Sequence, residues 1–243
     1  MFEKDKIFFK IKNKIKKWSF NNEVSKAFPD MIQRSIPGYN DIKWIISILA
    51  KYVVKYNTNV YDLGCSTGNT TFLIGKYIPK NIKYKIIAID NSSYMIEKIN
   101  YIFNKYYNYL PIKILKSEIQ NVIIKNASLV ILNFTLQFID KKDRQKIINR
   151  IYNGLNYNGI FILSEKIYIK DKKINNIISK IYHEFKFLNN YNKIEIFNKE
   201  NLLKKTMLLD SINIHKNRLK KAGFKCYSSY FQYLNFCSII AFK

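Results

Sequence analysis

The chain has 243 residues, 48% of them apolar, enough to bury one large core, and no Pro/Gly/Ser-rich linker marks two equal domains. Its 42 Lys and Arg against 17 Asp and Glu give a formal charge of +25. No run approaches the roughly 20 apolar residues that span a bilayer, and the three cysteines, Cys65, Cys226 and Cys237, lack the spacing of a disulfide framework or a zinc site.

Met1 to Lys17 carries too much charge for the apolar core of a secretory leader, so a cytoplasmic protein with reduced thiols is expected. A basic surface attracts nucleic acid or anionic lipid through its long-range field. Here Lys, Asn and Ile crowd the whole chain rather than one block, as codon choice in an AT-rich genome would spread them. Neither obligatory nucleic-acid binding nor a membrane partner is expected from that even spread. An anionic small substrate would still be steered toward the surface.

The first 55 residues precede the first sheet strand. Ile7, Phe8, Ile11, Ile15 and Trp18 share one helical face beside many lysines. This is the pattern of a helix packed on its own domain or lying on a membrane surface, and apolar stripes usually bury against protein. A β-rich run at Asn59 to Leu63 then feeds a Gly-containing turn and a helix over Asn69 to Tyr77. Lys85 to Ile89 stops at Asp90, and Met95 to Phe103 repeats at helical spacing. Ile112 to Leu115, Ser128 to Leu132 and Ile160 to Leu163 predict further strands, with a helix from about Asp143 to Tyr152 before the last. Such alternation means a doubly wound α/β fold, its parallel sheet covered on both faces. From about Lys170 to Leu209 the pattern is helical without a clear strand, an insertion or lid. A helix from about Ser211 to Ala222 stops at Gly223, and Phe224 to Tyr230 and Leu234 to Phe242 follow as antiparallel strands, one of which could complete the sheet edge.

The chemistry concentrates at Tyr61-Asp62-Leu63-Gly64-Cys65-Ser66-Thr67-Gly68, a strand end followed by a turn of small residues. Without a Cβ, Gly64 lets a ligand approach the main chain, where open α/β sheets bind ligands. The turn lacks the G-x-G-x-x-G of dinucleotide folds and the G-x-x-x-x-G-K-[ST] of a P-loop, so a nucleoside without phosphates fits better. Asp90, ending the second strand, can accept from both hydroxyls of a ribose or cap the next helix. Glu118 can accept from an adenine amine or lie solvated. Asn133 ends the fourth strand, where leaving its amide buried and unpaired costs about 1–3 kcal/mol.

Phe28 to Tyr39, Tyr61 to Ser66, Ile87 to Ser92 and Leu132 to Phe138 strongly resemble the carboxy-S-adenosyl-L-methionine synthase family. So do Leu163-Ser-Glu-Lys166, Met207 to Ser211, Lys221-Ala-Gly-Phe224 and the tail from Phe231 to Phe236, so that the likeness runs from about Trp18 onward. The resemblance implies a class I methyltransferase-like, Rossmann-like fold with a mostly parallel seven-stranded sheet. Residues 1–55 would form a helical segment covering the site, and residues 56–243 an S-adenosyl-L-methionine-binding domain carrying the insertion. It also implies a homodimer that uses S-adenosyl-L-methionine and prephenate to make carboxy-S-adenosyl-L-methionine and phenylpyruvate. The product would pass to a tRNA carboxymethyltransferase acting on the wobble hydroxyuridine. In that chemistry prephenate releases CO2, which the deprotonated sulfonium methyl captures, so the protein mainly positions fragments and excludes water. No catalytic side-chain base and no metal are assigned.

Carried over to this sequence, the family's cofactor contacts fall on Tyr39, Gly64, Cys65, Ser66, Asp90, Asn91, Glu118, Ile119 and Asn133. Glu118 stands where the family has Asp, and keeps the carboxylate. Glu200 stands where the family has an arginine that pairs with the product's new carboxylate. Lys199 beside it is the expected replacement cation, a point charge without the planar fork of arginine; the other possibility is a weakened site. Arg34 is the candidate for binding prephenate, with a structural salt bridge as its alternative, whereas His183 and His215 are expected to be packed or solvent-facing. Two other functions fit the residues: methylation of a small molecule or tRNA, and non-catalytic cofactor or RNA binding.

Overall fold

The computed structural model describes residues 4–8 and 18–243. Among them, seven strands form one sheet in the order β3-β2-β1-β4-β5-β7-β6. β1 (Thr58–Leu63), β2 (Tyr84–Asp90), β3 (Ile112–Lys116), β4 (Ala127–Asn133) and β5 (Leu155–Lys166) pair in parallel. β7 (Phe236–Phe242) runs antiparallel between β5 and the edge strand β6 (Cys226–Tyr233). The chain leaves β1 toward β2 and β3, then returns to β4 on the other side of β1. That switch leaves a crevice at the carboxyl ends of β1 and β4, where the sheet receives a ligand.

The central strands are buried on both faces because both are covered. Val60, Ile86, Leu129, Ile131, Ile160 and Ile162 point to one side, against α2 (Tyr39–Val53) and α3 (Asn69–Tyr77). Their neighbours Tyr61, Ile89, Val130, Leu132, Phe161 and Leu163 point to the other, against α5 (Lys141–Gly154) and α8 (Ile212–Ala222). α4 (Ser93–Ile102) connects β2 to β3 and unwinds through a π-helical turn at Phe103–Tyr107.

α1 (Asn22–Ser35) starts on Asn21, whose side chain accepts from the Val24 N–H. It is separated from α2 by Gly38, at φ 67°, where a Cβ would stand 2.3 Å from the Phe231 ring. Of the apolar N-terminal stripe, Ile7 and Phe8 lie in a turn, and Phe8 stacks on Trp18 at 5.8 Å in a cluster with Val24, Met31 and Met95. Ile11 and Ile15, and most of the helix expected there, lie outside the described residues.

The expected insertion is two helices, α6 (Lys172–Leu188), capped by Asp171, and α7 (Lys193–Lys204), opened by a reciprocal cap between Asn192 and Glu195. Strand boundaries differ from the pattern in β5, which also runs on to Lys166, and in the final hairpin, where β6 starts only at Cys226. β5 begins at Leu155, through the turn-like Asn156-Tyr157-Asn158, because its start pairs with Ala127 before a register shift. β6 runs on to Tyr233 and β7 waits until Phe236, since Leu234, at φ 51°, and Asn235 make the hairpin turn. Among the described residues no helix is long and apolar enough to cross a membrane.

Candidate active site

The turn after β1 is built around a backbone that admits no side chain. At Gly64, φ 85°, a Cβ would lie 2.4 Å from Thr135 Oγ1. The N–H groups of Gly64 and Cys65 both donate to the Ile89 carbonyl, at 2.8 and 2.9 Å, and so lock the turn onto β2. Ser66 follows in the left-handed region, and its N–H donates to Asp90 Oδ2 at 2.9 Å. The other carboxylate oxygen accepts from the Ser92 N–H, also at 2.9 Å. The cap of α4 is Ser92, not Asp90: its side chain takes the Met95 N–H. Asp90 therefore sits before the helix, nearly buried, with lone pairs left over. Burial raises its pKa, while hydrogen bonds from the backbone at Ser92 and Ser66 work the other way.

Asn91 donates to both oxygens of Glu118, at 3.1 and 3.2 Å, which brings the ends of β2 and β3 together. Ile119, buried, opens a short 3-10 turn behind them. At the end of β4, Asn133 donates to Thr70 Oγ1 at 3.3 Å, and its own Oδ1 is buried without a partner among the described residues. An acceptor left open in a cavity wall is a place for a ligand donor. Asp62 joins this end of the cavity and was given no role from the sequence. It accepts from the Thr71 hydroxyl, and burial first, with Asp90 nearby, pushes its pKa up to about 6.

These residues border one cavity of about 710 Å³. Tyr39, Gly64, Cys65, Ser66, Asp90, Asn91, Glu118, Ile119, Asn133, Lys199 and Glu200 all line it. So do Trp18, Phe28 and Met31 from the N-terminal segment and Tyr182, His183 and Lys186 from α6.

Arg34 does not. Its guanidinium instead ties α1 to the α6–α7 corner, donating from Nε to the Asn189 carbonyl and from Nη2 to the Asn190 carbonyl, both at 2.7 Å. Nη1 meets Asp30 and the Asp5 carbonyl at 3.1 Å, and the group stacks 4.0 Å over the Tyr191 ring. Every nitrogen is engaged, which is the arrangement of the structural alternative.

Lys199 turns inward, but its ammonium is engaged by Ser35 Oγ at 2.8 Å, Tyr191 Oη at 3.3 Å and Asp5 at 3.6 Å. Burial foremost pushes its pKa down to about 7, against the pull of Asp5. Glu200 is held elsewhere: Lys186 Nζ and His183 Nε2 each lie 2.9 Å from its Oε1. Those neighbours hold its pKa below the usual carboxylate range although burial pushes up. His183 thus faces the cavity beside a carboxylate, while His215 is buried in α8, where burial pushes its pKa down to about 4. No cluster of three metal-ligating side chains occurs among the described residues.

Sheet order, the crevice at β1 and β4 and the glycine turn define a class I methyltransferase-like α/β domain. Residues 60–159 match the model of a methyltransferase domain family. The fold is similar to human N-acetylserotonin methyltransferase solved with S-adenosylmethionine, at TM-score 0.61 and 15% identity over 91% of this chain and 55% of that one. It is also similar to the cyclopropane synthase MmaA2 of Mycobacterium tuberculosis, at TM-score 0.57 and 11% identity, covering 82% and 67%. Among curated proteins, the carboxy-S-adenosyl-L-methionine synthase of Mannheimia succiniciproducens is 44% identical over 99% of both chains. That of Salmonella paratyphi C is 41% identical over 100% of this chain and 98% of its own. The chain belongs to the carboxy-S-adenosyl-L-methionine synthase family.

Proposed function

We propose that this chain is a cytoplasmic enzyme that converts S-adenosyl-L-methionine and prephenate to carboxy-S-adenosyl-L-methionine and phenylpyruvate. The product would serve a separate carboxymethyltransferase acting on the tRNA wobble uridine. One observation carries the assignment beyond the family's name: the cavity has two ends of opposite charge. Asp62, Asp90 and Glu118 line the end at the β1 turn, and Lys166 and Lys186 line the end beneath α6, where the single carboxylate of Glu200 pairs with Lys186. A cationic adenosyl sulfonium suits the first, and a dicarboxylate suits the second.

In this scheme Asp90 accepts from the ribose hydroxyls and Glu118 from the adenine amine, while the bare backbone of Gly64 to Ser66 lets the donor lie close. Asn133 Oδ1, Tyr39 and Ile119 complete its walls. Residues 1–55 and the insertion at about 170–209 act as covers over the α/β domain of residues 56–243, excluding water from the reacting carbon. The chain supplies position and dryness, and no side-chain base is assigned. The test is to incubate purified protein with S-adenosyl-L-methionine and prephenate and weigh the nucleoside products. A species heavier than the donor by one CO2 is expected. S-adenosylhomocysteine in its place would mean methyl transfer, and tight tRNA binding without turnover would mean an RNA-binding role.

We also propose a homodimer built on α6. Ile174, Ile177, Ile181 and Leu188 fall on one face of that helix and are 47–84% exposed, and Ile194 and Phe197 of the following helix α7 are exposed as well. An exposed apolar stripe suits burial against a second copy of the chain, as an isologous interface requires. Light scattering should give twice the chain mass for the wild type and a monomer for Ile177→Glu with Phe197→Asp. A wild-type monomer would refute the dimer.

A further inference from the structure

We propose that Lys166 and Lys186 form a carboxylate-binding subsite at the basic end of the cavity, with Lys166 as the cation that receives the carboxylate. The proposal deepens the function proposed above and rests on it.

Lys166 is the last residue of β5, and its backbone N–H is held by Gln137 Oε1 at 3.2 Å, so its base is fixed at the carboxyl edge of the sheet. Its ammonium lies 4.3 Å from the centre of the Tyr182 ring and 5.4 Å from that of Phe236. Lys186 comes from the other direction, one turn beyond Tyr182 on α6, and its ammonium also lies 4.3 Å from the Tyr182 ring centre. The two cations therefore stand no further apart than twice that distance. The ring they share is anchored, since its hydroxyl donates to the Ser35 carbonyl at 2.8 Å.

Only one of the two is directly ion-paired. Glu200 pairs with Lys186 and touches His183, whereas no carboxylate pairs with Lys166 among the described residues. Glu200 is thus absorbed into a local triad and does not face a ligand as a bare charge. Lys199 is committed to Asp5, Ser35 and Tyr191, whereas the ammonium of Lys166 has no hydrogen-bond or ion-pair partner among the described residues. Burial and the like charge of Lys186 destabilise this cation until an anion arrives, and the two ring faces offset only part of that. Burial and Lys186 push its pKa down to about 8, so it keeps its proton at neutral pH. Glu200, the third cause, acts in the opposite direction.

A carboxylate could come from the product's carboxymethyl group or from the dicarboxylate substrate, and two measurements separate them. Calorimetry should compare S-adenosyl-L-methionine with carboxy-S-adenosyl-L-methionine on the wild type, Lys166→Met and Lys166→Arg, while steady-state rates give KM for prephenate. If Lys166 takes the product's carboxylate, Lys166→Met weakens binding of the carboxylated nucleoside by about tenfold or more. Binding of the unmodified donor stays the same, and Lys166→Arg recovers most of the loss. If it takes the substrate's carboxylate, KM for prephenate rises by a similar factor. No change in either, or equal weakening of both nucleosides, would overturn the subsite. The calorimetric comparison needs no turnover. A wild type that fails to carboxylate the donor yet prefers the carboxylated nucleoside through Lys166 would overturn the proposed function and leave the subsite standing.

Discussion

Asp90→Ala is expected to weaken S-adenosyl-L-methionine binding by at least about 100-fold, since hydrogen bonds to a charged acceptor are worth about 1.5–3 kcal/mol each and a ribose offers two. The carboxylate also organises the site before any ligand enters. It takes the N–H of Ser66, which lies in the left-handed region, and that of Ser92, the cap of α4. Its removal frees the turn that must approach the donor as well as deleting the acceptor. Asp90→Asn separates these effects, because it preserves volume while turning one acceptor atom into a donor that faces a backbone N–H. Binding should again fall by about tenfold or more, with a smaller change in melting temperature than for Ala. Calorimetry on protein freed of carried-over nucleoside is the measurement. A dissociation constant for Asp90→Ala within about threefold of wild type, under 1 kcal/mol, would take Asp90 out of the donor site.

What the sequence disclosed about this site follows from where each residue sits in a parallel sheet. Gly64, Asp90, Glu118 and Asn133 close or follow successive strands, and a run of β-forming residues ending in a small or polar one is a local pattern. α3 over Asn69–Tyr77 was readable because it follows the Gly-containing turn after β1. The basic end of the cavity was not readable. Lys166 and Lys186 meet on Tyr182 only because α6 folds back over the end of β5, and no spacing in the chain encodes that. Arg34 is held by the carbonyls of Asn189 and Asn190, and backbone acceptors leave no trace in side-chain composition. Lys199 is engaged by Asp5, nearly the whole chain away. The final hairpin was blurred by Leu234, an apolar residue in a left-handed position that Gly or Asn usually fills.

Arg144→Met should cost about 3–5 kcal/mol of stability, the usual penalty for stripping one partner from a buried ion pair. Arg144 is fully buried in α5, and its Nη1 pairs with Asp210, itself 3% exposed. Asp210 is also held by Arg218 at 2.7 Å and, from the surface, by Lys141 at 3.5 Å. The remaining nitrogens of Arg144 serve carbonyls: Nε meets Ile139 at 2.9 Å, and Nη2 meets Leu208 at 2.7 Å and Gln137 at 3.3 Å. One side chain thus joins α5, the turn after β4 and the strand-like segment that returns from α7. Methionine fills much of the volume and satisfies none of those acceptors, so a lower urea midpoint is expected. Lys141→Ala provides the contrast. Its ammonium is half exposed, and its loss should cost no more than about 1 kcal/mol. If Arg144→Met lost as little as Lys141→Ala, the buried cluster would not be what joins these segments. Gln137 and Ile139 also border the cavity, so unfolding measured with and without S-adenosyl-L-methionine should show a smaller ligand-induced stabilisation in Arg144→Met than in the wild type. The site and the core share this arginine because the turn after β4 is a wall of one and a surface of the other.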